Sequence, residues 1–299
     1  MKYVVTGGSG FIGAHLVKAL SQKGEVTNID LLPSAQDSAA SRDVIGDISN
    51  TDNNLKFLEA LQGAECVFHL AAKARVQPSI EHPIEFDQTN VKGTLNMLEL
   101  SREAGVKNFI FTSSSSLYGN THIYPTPETL APNPLSPYGL QKLIGEQYCQ
   151  LYSRIHDMNT ACLRYFNVYG ENAPTEGAYC LVIGKFIQQA LAGKNLTIFG
   201  DGQQKRDFTY VQDVVQANIL AAEKVEGMQG EAFNIGNGDN RSVQEIADVF
   251  GLPCDYLPER LEPKETLADN SKAKNLLGWK PTGDVVDWLK NYLTIVLNK

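Results

Sequence analysis

The chain has 299 residues, 42% of them hydrophobic and 20% charged, with a formal net charge of −8. It can bury a large core in one or two domains, and this composition excludes a disordered or low-complexity polypeptide. The acid excess argues against general binding to nucleic acid or acidic membranes, while leaving room for a local basic pocket. With no leader ahead of the first strand and no apolar run of the about eighteen residues a membrane span needs, a cytoplasmic location is expected.

The first predicted element is a short β-branched strand over residues 2–6, which runs directly into T-G-G-S-G-F-I-G. Gly7, Gly10 and Gly13 recur at every third position, and Ile12, Leu16 and Leu20 then share one helical face before Gly24. A strand that turns this sharply into a helix, and lets a pyrophosphate approach its N–H groups, has no room for a Cβ at the turn. The helix start offers its free N–H groups and positive dipole end to the phosphates. Residues 25–30 read as a second strand. Asp30 at its end is placed to accept from an adenosine ribose 2′-hydroxyl and to repel a 2′-phosphate, so the expected cofactor is NAD in preference to NADP.

A polar connection over 31–40 leads to a third strand at 43–47, whose Asp47 either lies by the adenine or simply turns the chain. Residues 54–62 read as a helix and 65–70 as a fourth strand. His69 near its end reads as a hydrogen-bonded structural histidine, and the small Ala71 and Ala72 beyond it leave room for a nicotinamide. A long helix is predicted over 83–104 and a fifth strand over 106–112. Alternation of this kind builds a doubly wound parallel sheet of Rossmann type, an α/β fold. The five cysteines (Cys66, Cys149, Cys162, Cys180, Cys254) form no C-x-x-C pair and read as core thiols, and no metal-ligand spacing is present.

The chemistry is carried by the next two segments. F-T-S-S-S-S-L-Y-G, residues 111–119, puts hydroxyls at the C-terminal end of a sheet strand, where open α/β sheets bind their ligands. Ser136-Pro137 then caps and opens a helix that carries Tyr138 and Lys142, four apart and on one face. A phenol titrates near ~10 in water; a lysine one turn away and an oxidised nicotinamide are two charges that favour its phenolate. Tyr138 thereby becomes a credible proton acceptor.

Beyond about residue 167 the alternation breaks up. Helices are predicted over 179–192, 211–224, 242–250, 269–277 and 285–297, and strands over 196–199 and 232–235. Short mixed elements suit a smaller substrate-binding lobe over the sheet's C-terminal edge.

T-G-G-S-G-F-I-G, H-L-A-A, S-S-S-x-Y-G, Y-x-x-x-K, R-Y-F-N-V-Y-G, D-G-Q-x-x-R-D-F and A-D-x-S-K-A…L-G-W-x-P follow one another between residue 1 and about residue 281. In this order they resemble the extended short-chain dehydrogenase/reductase family, in its nucleotide-sugar epimerase/dehydratase branch. The resemblance implies an NAD-binding part over 1–166, to which some later segments return, and a mainly nucleotide-sugar-binding part over 167–299. It places a catalytic triad on Ser114, Tyr138 and Lys142. It places cofactor contacts on Gly7, Gly10, Phe11, Ile12, Gly13, Asp30, Asp47, Ile48, Ala71, Asn90, Tyr138, Lys142 and Tyr165. Substrate contacts fall on Ser114, Ser115, Ser116, Asn167, Val182, Arg206 and Thr266, with a second phosphate-binding cation at Arg260 or Lys264.

Dehydratases and decarboxylases of the family usually carry an acid two residues before the tyrosine of the x-Y-G element. Here that position is Ser116, which removes the apparent general acid of lyase chemistry and leaves C4 redox cycling. The resemblance thus implies a UDP-sugar 4-epimerase, with a nucleotide-sugar 4-ketoreductase or dehydrogenase as the competing enzyme and a non-catalytic binding regulator as the competing class. Thr266 lies where relatives admit or exclude a 2-N-acetyl group, and its small size leaves space for one. A homodimer built on helices 83–104 and 138–153 is implied as well. The chain departs from the usual pattern at Leu140-Gln141, where smaller residues are common, at Gly184-Lys185 in place of Pro-Arg, and at 260–263, which replaces Arg-Pro-Gly.

Overall fold

The structure is a computed structural model that describes residues 1–34, 39–176, 180–259 and 262–297. Strands β1 (Lys2–Thr6), β2 (Glu25–Asp30), β3 (Arg42–Ile45), β4 (Cys66–His69), β5 (Asn108–Ser114) and β6 (Asn159–Tyr165) lie in one sheet in the order β3-β2-β1-β4-β5-β6. The strand Gln229–Ile235 adds a seventh beside β6, and every pairing in the sheet is parallel. The winding direction reverses between β1 and β4, whose last residues Thr6 and His69 are partners in register. That reversal opens the crevice at the C-terminal ends of the strands where such sheets take their ligands.

The period of two along β1 sorts its side chains between two cores. Tyr3 and Val5 meet Leu16, Val17 and Leu20 of α1 (Phe11–Leu20) together with Val214 and Ala221 of the later helix Val211–Lys224. Val4 faces the other way, toward Phe57 and Leu61 of helix α2 (Asn54–Leu61), Met97 and Leu98 of the helix Thr94–Glu103, and Cys149 and Tyr152 of the helix Pro137–His156. Each such fully buried Val, Leu or Phe contributes about 1.5–3 kcal/mol. The doubly wound sheet read from the sequence is the observed one.

A third cluster joins Ile183, Phe186, Leu196, Ile198, Phe208, Ile246 and Leu289, from the C-terminal half of the chain. The same half also returns to the sheet: Trp279 is fully buried in the first core and donates its indole N–H to the Asp213 carbonyl at 2.8 Å.

Four elements differ from expectation. The predicted helix over 83–104 is two α-helices, Pro83–Asp87 and Thr94–Glu103, joined by a π-helical turn, Gln88–Gly93. The turn carries the buried Asn90, and π-turns of this kind frequently mark functional sites. A helix at Val76–Glu81, which contains Pro78, has no counterpart among the expected elements. That proline lies in the first turn, where its missing N–H leaves no helical hydrogen bond unmade. The helix predicted over 269–277 narrows to a π-helical Ala273–Leu277. The one predicted over 179–192 is observed as Val182–Leu191, with residue 179 outside the described residues. Cys66, Cys149 and Cys162 are buried free thiols, and Cys180 and Cys254 are half-buried. Among the described residues no helix is long and apolar enough to cross a membrane.

Candidate active site

The glycine turn sits at the mouth of the crevice. Gly7 has φ +76°, and a Cβ on it would lie 2.7 Å from the backbone N of Ala71; a Cβ on Gly13 would lie 2.0 Å from the Gly7 carbonyl oxygen. These two glycines are demanded by the turn itself and by the approach of helix to strand. Gly10 is different: it is exposed, and a Cβ there would meet only the Gly7 oxygen at 3.3 Å. Its open side is the one from which a phosphate can reach the N–H groups at the start of α1. Asp30 is set beside the turn by the backbone, its Oδ2 accepting from Ser9 N at 2.9 Å and its Oδ1 from Leu31 N at 2.6 Å.

The loop after β4 is held at both ends. Ala71 N donates to Thr6 Oγ1, Thr6 Oγ1 bonds His69 Nδ1 at 2.8 Å, His69 Nε2 bonds Thr94 Oγ1 at 3.0 Å, and Thr94 Oγ1 donates to the Asn90 carbonyl. With the Thr94 proton committed to that carbonyl, the histidine must donate from Nε2, and because burial keeps the ring neutral, Nδ1 accepts from Thr6 Oγ1. Asn90 completes the clamp: its Oδ1 accepts from Lys73 N, and its Nδ2 donates to Lys73 O and to Gln141 Oε1. The large residue at 141, one of the departures noted above, fills the space between Asn90 and the Pro83 carbonyl.

Burial, and then the charge of Lys142, push the His69 imidazole down to about 3. Below its ordinary value near ~6.5 the unfolded chain therefore takes up a proton that the folded chain refuses, and stability is lost as pH falls from there toward about 3. By pH 5 the expected loss is about 2 kcal/mol. Denaturant unfolding of the wild type and of His69→Gln at pH 7 and pH 5 checks this: the variant should lose less, and equal losses would contradict it.

The hydroxyl-rich end of β5 meets the helix Pro137–His156. Ser136 caps that helix, its Oγ accepting from Gly139 N at 3.2 Å, and Pro137 opens it. Two glycines let the helix lie against the strand. A Cβ on Gly139 would stand 2.6 Å from the Ser116 carbonyl oxygen, and one on Gly145 would stand 2.3 Å from the Phe111 ring. The serine turn is thereby pressed onto the first turn of the helix, beside Tyr138. Ser114 Oγ donates to Ser116 Oγ at 3.1 Å and accepts from Ser116 N at 3.2 Å. Lys142 is 3% exposed; its Nζ donates to the Thr112 carbonyl at 2.7 Å and lies 5.9 Å from the centre of the Tyr138 ring. Burial pushes that ammonium down to about 7, with Glu146 pulling the other way.

Across the crevice, Asn167 Nδ2 donates to the Asp207 carbonyl at 3.0 Å and to Thr266 Oγ1 at 3.2 Å, and Thr266 Oγ1 also accepts from Asp207 N at 3.1 Å. Burial raises the Asp207 carboxyl to about 6 despite donation from the backbone N–H groups of Ala268, Gly238 and Asn237. Arg206 is buried and ion-paired with Glu262, and its other terminal nitrogen donates to the Lys205 carbonyl. Val182 opens its helix beside a small apolar cavity whose walls include Phe11, Leu181, Ile183 and Phe208, so this helix abuts the glycine turn. A larger open recess lined by Met1, Gly24 and Glu65 lies at the opposite, N-terminal edge of the strands, away from all of these groups.

The model of the NAD dependent epimerase/dehydratase family matches residues 3–236. The chain belongs to that family. Its relatives include a putative UDP-glucose 4-epimerase of Methanocaldococcus jannaschii, 38% identical over 96% of this chain and 98% of that protein. Among solved structures, the UDP-glucose 4-epimerase of Thermotoga maritima with UDP-glucose superposes with a TM-score of 0.91 at 37% identity, covering 99% of this chain and 100% of that one. The UDP-N-acetylglucosamine 4-epimerase of Methanobrevibacter ruminantium, in complex with UDP-N-acetylmuramic acid, gives 0.90 at 32% identity over 99% and 98%.

NAD is the cofactor of this epimerase/dehydratase family, and the chain fits it: the turn is open at Gly10, and the Asp30 carboxylate stands beside it. The other expected contacts divide. Asp47 Oδ1 accepts from both Ser49 N and Ser49 Oγ at 2.8 Å, so its carboxylate shapes the turn. Ile48 and Ile12 pack into core, and Phe11 stands edge-on to His15. The Tyr165 ring is buried, with its hydroxyl accepting from Asn218 Nδ2 and Thr112 Oγ1. Asn90 commits both hydrogens of its side-chain amide to protein partners and positions the loop at Lys73. Ser115 and Ser116 are half-buried in the serine turn, Lys264 is exposed, and Arg260 lies outside the described residues. Reading the sequence did not find Gly139, Gly145 or Gln141 as parts of the site. The first two are glycines inside a helix, which is the one local signal available.

Proposed function

We propose that the chain is an NAD-dependent 4-epimerase of a UDP-hexose or UDP-N-acetylhexosamine, with residues 1–166 mainly holding the cofactor and residues 167–299 mainly holding the nucleotide sugar. The observation that carries this reading is Lys142, buried beneath Tyr138 and beside a serine turn with no carboxylate at position 116. When bound, NAD+ accepts hydride from C4 of the sugar and returns it to the other face of the resulting 4-ketose, so it is regenerated in each cycle.

Tyr138 takes the proton of the 4-hydroxyl and later gives it back. Lys142 Nζ lies 5.9 Å from the centre of the Tyr138 ring, over which part of a phenolate's charge is spread. Unit charges at about that distance, at an effective dielectric of about 20, attract by about 3 kcal/mol, the equivalent of about two pH units for a phenol. A desolvated ammonium also gains most from a phenolate neighbour, because the Thr112 carbonyl is a weak substitute for a counter-charge. Ser114 Oγ turns its proton from Ser116 Oγ to the reacting oxygen, and Ser116 N continues to hold the hydroxyl in position. Arg206 offers a guanidinium fork to the pyrophosphate, which must displace Glu262 to take it.

The test is to incubate the pure protein, with no added NAD, with UDP-glucose, UDP-N-acetylglucosamine and UDP-glucuronate, and to follow the anomeric protons. Appearance of a C4 epimer is expected; a requirement for added nucleotide would favour a reductase or dehydrogenase instead. Arg206→Ala is expected to raise KM about tenfold or more, the loss of a charge-assisted hydrogen bond, with kcat little changed. Thr266→Tyr is expected to block UDP-N-acetylglucosamine while sparing UDP-glucose, and equal turnover of the N-acetyl sugar by variant and wild type would remove Thr266 from the specificity argument.

Leu140, Leu151 and Ile155 form an exposed apolar stripe on the helix Pro137–His156, with Ile84 exposed nearby in sequence to the π-turn. We propose that a second copy of the chain covers it. Leu143 of the same helix instead packs inward against a core of Leu117 and Tyr118.

A further inference from the structure

The groups proposed to act on the sugar come from two elements, β5 with its serine turn and the helix Pro137–His156, and a second set of side chains ties these together below the crevice. Ser113 precedes Ser114 on β5, and its Oγ donates to Glu146 Oε1 at 2.5 Å. Tyr138, Lys142 and Glu146 recur every four residues and so share one helix face. Arg164 of β6 grips both oxygens of Glu146, through Nε at 2.8 Å and a terminal nitrogen at 2.7 Å, and donates its other terminal nitrogen to Tyr118 Oη at 2.7 Å. Tyr118 closes the serine turn and donates to Asn234 Oδ1 at 2.8 Å. Glu146 is 1% exposed and Arg164 5% exposed.

A buried ion pair of this kind is weak evidence for stability, because well-packed apolar groups of the same volume often serve as well. Its geometry has another consequence. One carboxylate fixes the end of β5, the helix that carries Tyr138 and Lys142, and, through Arg164 and Tyr118, both ends of the serine turn. We infer that the Glu146–Arg164 pair is a positioning device for the reaction: it sets the spacing of Ser114 to Tyr138 and Lys142, while neither residue touches substrate. The inference rests on the triad assigned under Proposed function. Misplacement of reacting groups by about 1 Å can cost about a hundredfold in rate.

The test compares wild type, the double variant Glu146→Leu/Arg164→Met and the single variant Arg164→Lys, in thermal unfolding, retained NAD, KM and kcat. The double variant is expected to unfold near the wild type, keep its NAD and hold KM within about threefold, while kcat falls by about thirtyfold or more, part of that hundredfold. Recovery of kcat together with stability would overturn the inference and leave the pair a structural one. Should the double variant not fold, Arg164→Lys decides, since it keeps the charge and loses the two-pronged grip: kcat reduced at unchanged KM supports the inference, and unchanged kcat overturns it. If the wild type proves to be a one-way reductase or dehydrogenase of a nucleotide sugar, the epimerase reading fails while the same kcat comparison still judges the pair.

Discussion

Tyr138→Phe is expected to lower kcat by about a thousandfold, within the range that loss of a general acid–base group produces, while fold, retained NAD and KM stay near wild type. Phe keeps the ring that lies over the Lys142 ammonium and deletes only the group that exchanges the proton. Pre-steady-state mixing with the UDP-sugar locates the loss: absorbance of reduced nicotinamide should no longer rise, because hydride leaves C4 only as the 4-hydroxyl gives up its proton. A Tyr138→Phe protein that turned over at the wild-type rate would remove Tyr138 as the base.

Gly13→Ala and Gly10→Ala are expected to part company. The Gly13 methyl would stand 2.0 Å from the Gly7 carbonyl, an overlap with backbone that no rotamer relieves, whereas the Gly10 methyl meets that oxygen at 3.3 Å. Gly13→Ala should therefore lose about 3 kcal/mol or more of stability, at or beyond the upper end of overpacking costs, along with its NAD. Gly10→Ala should fold at nearly the wild-type temperature and bind NAD at least about tenfold more weakly, about 1.4 kcal/mol, because its methyl projects toward the phosphate side. Thermal unfolding beside NAD titration of the stripped proteins separates the two effects. Equal stability for both variants would contradict the close approach at Gly13, and unweakened NAD binding by Gly10→Ala would contradict the place given to the phosphates.

What could be read in the sequence follows from how local its cause is. The strand, glycine turn and helix at residues 2–20 were legible because glycine spacing and apolar periodicity act within a few residues of one another, and so were Asp30 at a strand end and the Ser136-Pro137 cap. His69 was legible as a structural histidine, although the relay that sets its tautomer runs through Thr6 and Thr94, far away in sequence. The π-turn at Gln88–Gly93 was not, since its apolar pattern is nearly that of a straight helix; it is visible only once Asn90 is seen to reach Lys73 and Gln141. The same holds for Gly139, whose partner is the Ser116 carbonyl, and for the pairing of Arg206 with Glu262, which joins segments 56 residues apart. Tertiary contacts of this kind leave no periodic trace.

The most direct measurement uses whichever UDP-hexose the wild type turns over, carrying deuterium at C4, with no nucleotide added. Hydride that leaves C4 and returns to the same carbon within one site keeps its label, so the C4 epimer should form with the deuterium retained at C4 and with no net accumulation of reduced NAD. Loss of the label from C4, or product formed only in step with NAD added to the solution, would contradict a site that holds its cofactor through the whole cycle.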